Sequence, residues 1–401
     1  MKLNHSRIKW LPVAGLGLAV AISTAVVQSQ EQPATQGKAA ARAHYTVVDL
    51  GVVGNPPGTP YLLKNSGLVS GAAATASGKM HAVLWYQGLK FDIGTPGLGG
   101  PNNAAFGVND FGQTVGQAET SVADGEDFCG FNAYGFASST ACVPFLWQGV
   151  MTKLPTLGGE NGFANQINDR GEIVGIAETF ATDPTPGCPV HQFAPVIWAN
   201  GAIHKLPLAP GDSDGVAAAI NEKGDVAGAS GICTPFNPNS GLYLEENHAM
   251  VWEDGKAIDL GNLGPNGLPG AGNHACAINS KGQAAGHTTS NANTVAFLWS
   301  KEKGMQGLGT LAGDLASFAI GMNDNAAVVG QSVNADFSKL RAFLWENGVM
   351  TDLNTLVTVN PGKLYLLLGE SINSSGEITG LAVDGAGKFH GFLAIPKPAG
   401  K

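Results

Sequence analysis

Residues 167–175 read INDRGEIVG, and residues 195–198, reached after a longer connection, read PVIW. The first run suits a type I turn, because Asn168 caps its first position and Gly171 can adopt a positive φ at its fourth. Such a turn joins two antiparallel strands into a short hairpin. The run ending at Trp198 predicts a third strand, and a shorter fourth strand follows. This stretch therefore predicts one unit of four strands.

The unit recurs seven times between residues 45 and 398, about every 50 residues. The Asn of the turn stands at Asn65, Asn109, Asn168, Asn221, Asn279, Asn323 and Asn373. The Trp of the third strand stands at Trp85, Trp147, Trp198, Trp252, Trp299 and Trp345. A four-stranded unit this small cannot bury both faces alone, so the units must stack. The pattern predicts an all-β, seven-bladed β-propeller of four-stranded blades, with a linear β-solenoid as the alternative.

The order of strands predicts how the ring closes. The Ala-rich strand before each Asn suits the crowded position near the axis, and the Trp strands suit the contacts between blades. The chain then begins with an outer strand, Tyr45 to Leu50, and ends with a third strand, Phe389 to Ile395. These two should pair in the last blade, hiding edges that would otherwise invite aggregation.

Two turns depart from the repeat and are expected to differ from the others. The first repeat, at Asn65, is one residue shorter than its equivalents. The sixth, beginning at Asn323, has Ala326 where the others have Gly.

The repeated blocks resemble those of the bacterial extracellular HAF repeat family, whose hallmark is a His-Ala-Phe-Leu-Trp run with an Asn-x-x-Gly-x-x-Val-Gly segment. The resemblance covers nearly all of residues 45–398. Three copies keep the His, at His81, His248 and His390. The resemblance implies an exported protein with a propeller-like fold. It implies little about activity, because the family has no well-defined biochemical role.

The N-terminus predicts export. Residues 1–29 combine a basic start, Lys2, Arg7 and Lys9, with an uncharged apolar stretch from Leu11 to Val27, as in a signal peptide. An uncleaved membrane anchor is the alternative. Residues 30–44 predict a disordered linker, and residues 399–401 a short tail. We expect a secreted protein, extracellular or periplasmic, monomeric and without a stable membrane span after cleavage.

Composition excludes some functional classes. The chain has 57 Gly and 22 Pro, and only 13% of its residues are charged against 44% hydrophobic. This composition suits short strands and tight turns. The net charge of -9 disfavours a nucleic-acid partner, because phosphate binding requires a basic surface.

No set of residues in the sequence predicts catalysis, a cofactor or a metal. The three repeated His residues are expected to make structural hydrogen bonds, because they recur at one position of the repeat. The other His residues are scattered and have no zinc-binding spacing. An Asp that recurs in the fourth strand is expected to make hydrogen bonds between blades. It stands at Asp49, Asp92, Asp259 and Asp352. The acidic run from Asp124 to Asp127 is read either as a calcium site or, preferably, as a solvated loop.

Repeats two to four carry insertions between their second and third strands, on one predicted face of the ring. They contain Cys129, Cys142, Cys188 and Cys233. Four cysteines allow three sets of two disulfides, and the set expected here is Cys129–Cys142 with Cys188–Cys233. Cys276 should remain a buried free thiol.

Two hypotheses for function follow. The first is an exported, non-catalytic binding or surface-interaction protein whose loops in repeats two to four bind an unknown protein or carbohydrate. The second is a carbohydrate-active hydrolase or lyase on the same scaffold, which two facing carboxylates of perturbed pKa would favour. A purely structural role is also open, with insertions that only cover one end of the axial channel.

Overall fold

The computed structural model describes residues 44–54, 58–126, 129, 139–186, 188, 190–237, 242–264, 272–290 and 293–397. Seven sheets follow one another around a ring, which confirms the all-β, seven-bladed propeller. The predicted signal peptide, the tail and residues 30–43 of the predicted linker lie outside the described residues. Strand β1 begins at His44, the last residue of that linker.

Blades 1 to 6 each contain four antiparallel strands, numbered from the axis outward. Blade 1 contains β2 (Pro60–Leu63), β3 (Val69–Ala74), β4 (Met80–Tyr86) and β5 (Leu89–Asp92). Blade 2 contains β6 (Gly99–Val108), β7 (Thr114–Ala123), β8 (Thr140–Trp147) and β9 (Met151–Lys153). Blade 3 contains β10 (Gly158–Ile167), β11 (Ile173–Thr182), β12 (His191–Ala199) and β13 (Ala202–Lys205).

Blades 4 to 6 repeat this order. Blade 4 contains β14 (Asp214–Ile220), β15 (Val226–Asn237), β16 (Leu242–Glu253) and β17 (Lys256–Asp259). Blade 5 contains β18 (His274–Ile278), β19 (Ala284–Thr289), β20 (Thr294–Ser300) and β21 (Gly304–Gly309). Blade 6 contains β22 (Ala316–Met322), β23 (Val328–Val333), β24 (Leu340–Glu346) and β25 (Val349–Asp352).

Blade 7 closes the ring with both ends of the described chain. It contains β27 (Tyr365–Ile372), β28 (Ile378–Val383), β29 (Phe389–Lys397) and, outside them, β1 (His44–Gly54). The antiparallel register aligns Tyr45 with Pro396 and Val48 with Leu393, which confirms the predicted closure. A 3-10 turn (Leu353–Leu356) and a fifth strand, β26 (Val357–Val359), lie at the outer edge, where β26 pairs with β1 in parallel.

The apolar repeat positions pack as predicted. The Ala-rich strands lie innermost, and every residue of β14 is buried. Trp85 of blade 1 packs between blades, in a cluster with Leu368 of blade 7 and Val53. Its indole N–H donates to the carbonyl of Leu50 at 3.0 Å, so the side chain satisfies its polar atom while it is buried.

Both irregular turns keep the main-chain hydrogen bonds of the others. The turn at Asn323 also keeps the bonds of the asparagine side chain, so the expectation that it differs was wrong. The turn of blade 1 does differ, because it begins with a lysine, whose side chain cannot accept main-chain N–H groups as Asn109 does. Ala326 adopts a φ of +59° and donates its N–H to the Asn323 carbonyl at 3.0 Å, as a glycine would. In blade 1 the turn starts at Lys64, one residue before Asn65, and Gly67 donates to the Lys64 carbonyl at 3.0 Å. The turn has its normal length, with lysine in place of the asparagine.

The asparagines that begin the turns link successive blades. In each, the side-chain amide donates to the main-chain carbonyl at the same position of the next blade. These bonds run from Asn109 to Asn168, Asn168 to Asn221, Asn221 to Asn279, Asn279 to Asn323, Asn323 to Asn373, and Asn373 to Lys64. The Lys64 ammonium instead lies 3.7–3.9 Å from carboxylate oxygens of Asp110, Asp169 and Glu222, at the mouth of the axial channel.

No helix in the described chain has the length and apolar character to cross a bilayer.

Candidate functional site

The three inserted connections emerge on one face of the ring, which we call the insertion face. Neighbouring strands in a blade are antiparallel, so connections between second and third strands lie opposite the Asn turns. The insertion in blade 4 extends its hairpin, because β15 and β16 have 12 residues each whereas β19 has six. Residues 127–128, 130–138, 187, 189 and 238–241 of these connections lie outside the described residues.

Two disulfides hold these connections, with the pairings expected from the sequence. Cys129 and Cys142 are bonded within blade 2, with Cα atoms 5.1 Å apart. Cys188 and Cys233 are bonded with Cα atoms 5.9 Å apart, which ties the connection of blade 3 to β15 of blade 4. Cys276 is a buried free thiol, as predicted. The insertion face is therefore cross-linked both within a blade and between blades.

A cluster of two carboxylates and an imidazole lies where blades 2 and 3 meet on this face. Nδ1 of His191 is 2.5 Å from Glu126 Oε1 and 3.8 Å from Glu178 Oε1. The side chain of Glu178 is 2% exposed, whereas that of His191 is 43% exposed. Burial and the facing carboxylate of Glu126 raise the pKa of Glu178 to about 8. The cluster joins residues from three segments of the chain and is open to solvent on the His191 side.

Glu178 has one oxygen with a structural partner and one without. Its Oε2 accepts main-chain N–H groups from Glu160 at 2.7 Å and Asn161 at 2.9 Å. Glu119, at the same position of blade 2, holds Asn102 in the same way, accepting its main-chain N–H at 3.0 Å. Oε1 of Glu178 is buried without a hydrogen-bond partner. Hydrogen bonds to the inner strand β10 thus account for the position of Oε2, whereas Oε1 has no structural partner.

A second acidic pair lies between blades 3 and 4. Asp214 Oδ1 accepts the Phe193 N–H at 2.7 Å, and burial together with the adjacent Asp183 raises the pKa of Asp214 to about 7. At the same place between blades 2 and 3, the amide of Asn161 donates to Asp124 Oδ2 at 3.0 Å. A protonated Asp214 can donate to Asp183 as Asn161 donates to Asp124. The pair is therefore a variant of a repeated junction.

The acidic run from Asp124 to Asp127 does not gather around one point in its described part. Asp124 accepts from Asn161 and from the Glu126 N–H, while Glu126 turns to His191. Asp127 lies outside the described residues.

The insertion face also carries an exposed aromatic side chain. Phe180, near the end of β11, is 81% exposed, and its ring lies over the main chain of Gly158, where an added Cβ would be 2.2 Å away. Val122, near the end of β7, is 48% exposed. Phe193, another aromatic residue of the insertions, is buried. Exposed aromatic side chains of this kind are typical contacts for sugars and proteins.

The repeated His and Asp residues have structural roles. His81 Nδ1 lies 2.8 Å from Asp92 Oδ2, and His390 Nδ1 lies 2.9 Å from Asp49 Oδ1, which confirms the expected hydrogen bonds of the His. Each pair lies within a single blade, the first in blade 1 and the second in blade 7. The expectation that these aspartates join blades was wrong, because the fourth strand pairs with the third strand of its own blade and brings the two side chains together.

The axial channel contains a cavity of about 110 Å³ lined by Glu370 and Cys276. Burial raises the pKa of Glu370 to about 8. Cys276 Sγ lies 3.7 Å from His287 Nδ1, and burial, followed by the nearby carboxylates of Glu246 and Glu370, raises the pKa of the thiol. Burial lowers the pKa of His287 to about 4, so it is neutral near pH 7. A neutral imidazole beside a protonated thiol does not form the ion pair that makes a cysteine nucleophilic.

Glu178, His191, Asp214 and Glu370 were not predicted from the sequence as site residues. One signal was present, because Glu119 and Glu178 stand three residues after the Gly of the second strand in repeats two and three. A charged residue at a buried strand position requires a specific partner. The partner itself was not visible, since Glu126 and Glu178 are 52 residues apart in the chain.

No family model matches the chain, and no curated protein matches it. Solved structures that are similar to this chain include a β-propeller domain, a lyase and a lectin. The propeller domain of the Trilobed protease from Pyrococcus furiosus, 10% identical, aligns over 89% of this chain and 96% of its own with a TM-score of 0.47. An ulvan lyase is 11% identical over 89% and 98%, with a TM-score of 0.43. The Aleuria aurantia lectin is 9% identical over 90% and 96%, with a TM-score of 0.34.

Proposed function

We propose that this chain is an exported, non-catalytic binding protein of the HAF repeat type, whose ligand face is the insertion face. The observation that carries the proposal is the placement of the three long connections. They occupy consecutive blades on one face, and two disulfides cross-link them. Long connections on a rigid scaffold are the usual location of binding residues. Cross-linking reduces the conformational entropy that such loops lose when they bind.

The chemistry of the face supports a protein or carbohydrate ligand. Phe180 offers an exposed aromatic ring beside the carboxylate and imidazole groups at the junction of blades 2 and 3. An apolar ring next to hydrogen-bonding groups suits the mixed surface of a sugar or of a protein side chain. The disulfides support export, because such bonds persist in oxidising compartments.

Binding of the mature protein to a glycan array and to immobilised envelope proteins tests this function. The variant Phe180→Ala should lose most of any binding. Phe111→Ala is the matched control, because Phe111 is 75% exposed in a turn on the opposite face. Shortening the three connections to the length found in repeats one and five should abolish binding while the ring stays folded. Binding that survives both changes, or that Phe111→Ala alone removes, contradicts the proposal.

A carbohydrate-active hydrolase or lyase is the second candidate, supported by the raised pKa of Glu178 beside Glu126. Against it, one oxygen of Glu178 has the same anchoring role as Glu119, and the Asp214–Asp183 pair takes the place of a structural amide pair. Release of reducing ends or unsaturated sugars from a polysaccharide panel tests this candidate. Activity lost in Glu178→Gln but kept in Glu119→Gln would favour it over binding alone.

A further inference from the structure

The junction of blades 2 and 3 has the geometry of a metal site. One ligand atom each from Glu126, Glu178 and His191 lie within 4.8 Å of one another. In tetrahedral zinc sites, bonds of ~2.0–2.2 Å place ligand atoms about 3.3 Å apart. The distances from His191 Nδ1, 2.5 and 3.8 Å, lie on either side of that value. Side-chain shifts of roughly 1 Å would place all three ligand atoms at bonding distance from one ion.

The unpartnered oxygen of Glu178 is the independent sign of a ligand. This side chain is 2% exposed, and its Oε1 has no hydrogen-bond partner. Oε1 is the oxygen that faces His191, 3.8 Å from its Nδ1. An unsatisfied buried carboxylate oxygen is costly, and a bound cation removes the cost. Glu119 at the equivalent position of blade 2 provides the contrast, because both bonds to Asn102 use one oxygen and neither oxygen is among the buried unpartnered atoms.

The groups behind the cluster hold its ligands in place. Glu178 Oε2 accepts the N–H groups of Glu160 and Asn161, which fixes the direction of Oε1. The Asn161 amide donates to Asp124, whose other oxygen accepts the Glu126 N–H at 3.1 Å. Outer groups of this kind orient the ligands of metal sites and strengthen binding.

We propose that Glu126, Glu178 and His191 bind a divalent transition-metal ion of the zinc class, which joins blade 2 to blade 3. One imidazole and two carboxylates form a donor set that suits zinc, whereas calcium prefers six to eight oxygens. Three protein ligands leave a fourth position for water or for a group of the ligand. The exposure of His191 provides the path by which the ion enters.

The test is direct metal binding by the disulfide-intact mature chain after dialysis against EDTA. Isothermal titration with ZnCl2 should show one site per chain, and His191→Ala should weaken it by about 30-fold or more. His191 is the preferred target because it is partly exposed, so its replacement leaves the blade core intact. Co2+ should give a visible absorption band in the wild-type chain that is lost in His191→Ala.

Glu119→Gln is the matched control and should bind zinc as the wild type does, while Glu178→Gln should not. Absence of one-to-one zinc binding, or zinc binding that His191→Ala leaves unchanged, overturns the proposal. Binding of calcium but not zinc overturns the assignment of the metal. If no metal binds, a proton shared between Glu126 and Glu178 accounts for Oε1. The titration contains no glycan and no partner protein, so its result is independent of the proposed function.

Discussion

The Lys64 ammonium lies 3.7 Å from Asp169 Oδ1, although the two residues belong to blades 1 and 3. Lys64 stands where the other blades have asparagine, so the ring of amide bonds lacks its donor at this position. Instead, its side chain extends over the channel mouth to Asp110, Asp169 and Glu222 and is 17% exposed. One cation thus replaces a neutral link and offsets the repulsion among three carboxylates.

Removing this charge should destabilise the ring by repulsion. We expect Lys64→Met to lower the free energy of unfolding by about 1–2 kcal/mol at low salt, because several partly buried contacts exceed a single exposed pair. The difference should shrink in 1 M NaCl, where charges are screened within ~3 Å. Denaturant unfolding at two salt concentrations measures both effects. Lys90→Met in the exposed edge strand β5 is the control. Equal loss at both salt concentrations would argue against an electrostatic role.

Closure of blade 7 should depend on the core side of β1. Val47 is 3% exposed and packs among Leu344, Leu353 and Phe392, whereas Val52 of the same strand is 46% exposed. Val47→Asp should lower the free energy of unfolding by about 3 kcal/mol or more, because it buries an unpaired charge. Val52→Asp should have little effect. Thermal melting compares the two variants with a chain lacking residues 45–51, which should melt far below wild type. An unchanged melting temperature in that deletion would contradict closure by β1.

The two disulfides should contribute unequally to stability. Peptide mapping without reduction should recover Cys129–Cys142 and Cys188–Cys233. Their sequence separations of 13 and 45 residues correspond to about 3 and 4 kcal/mol in the chain-entropy description. The double variant Cys188→Ser/Cys233→Ser should therefore lose more stability than Cys129→Ser/Cys142→Ser. Recovery of either of the other two pairings would refute the assignment.

Asp214 should make the protein less stable as the pH rises. Its folded pKa of about 7 lies above the ordinary 3.8, so the folded chain holds a proton that the unfolded chain releases. This contribution is complete below about pH 4 and is lost as the pH rises towards 7, by roughly 4 kcal/mol. Asp214→Asn should remove that slope, because an amide donates to Asp183 without titrating, as Asn161 does to Asp124.

The comparison of the two proteins isolates Asp214 from the other buried acids. Burial raises the pKa values of Glu178 and Glu370 to about 8, and these groups titrate in both proteins with the same sign. Denaturant unfolding from pH 4 to pH 8 should show the variant gaining on the wild type as the pH increases. Parallel curves would mean that Asp214 is ionised throughout this range.

Much of the fold follows from local sequence. The Asn-x-x-Gly turn specifies a hairpin through its own hydrogen bonds, so its five complete copies and two variants predict seven hairpins without knowledge of long-range contacts. The error at Asn65 has a physical cause. The turn depends on main-chain geometry, and Lys64 can occupy its first position although lysine cannot cap as asparagine does. Ala326 likewise adopts a left-handed conformation, which is unfavourable for a residue with a Cβ, because the strands on either side hold the turn in place.

The candidate site was less accessible from sequence. The Cys188–Cys233 bond could be predicted from the order of repeats, because adjacent insertions must lie side by side in a ring. The Cys129–Cys142 bond could be predicted because both residues belong to one insertion. The cluster of Glu126, Glu178 and His191 depends on which way each side chain points at the end of a strand. That direction is determined by the register of β11 and by hydrogen bonds from Glu160 and Asn161. No spacing in the chain encodes it.

The pairing of β1 with β29 places the two ends of the described chain next to each other. His44 is the register partner of Lys397 in antiparallel strands. A short linker between these ends would turn the protein into a continuous circle of seven sheets. New termini placed in an exposed connection between two other blades would then give a circular permutant in which blade 7 becomes an interior sheet. The sheet that is now assembled from two distant segments of the chain would then be formed by one continuous segment.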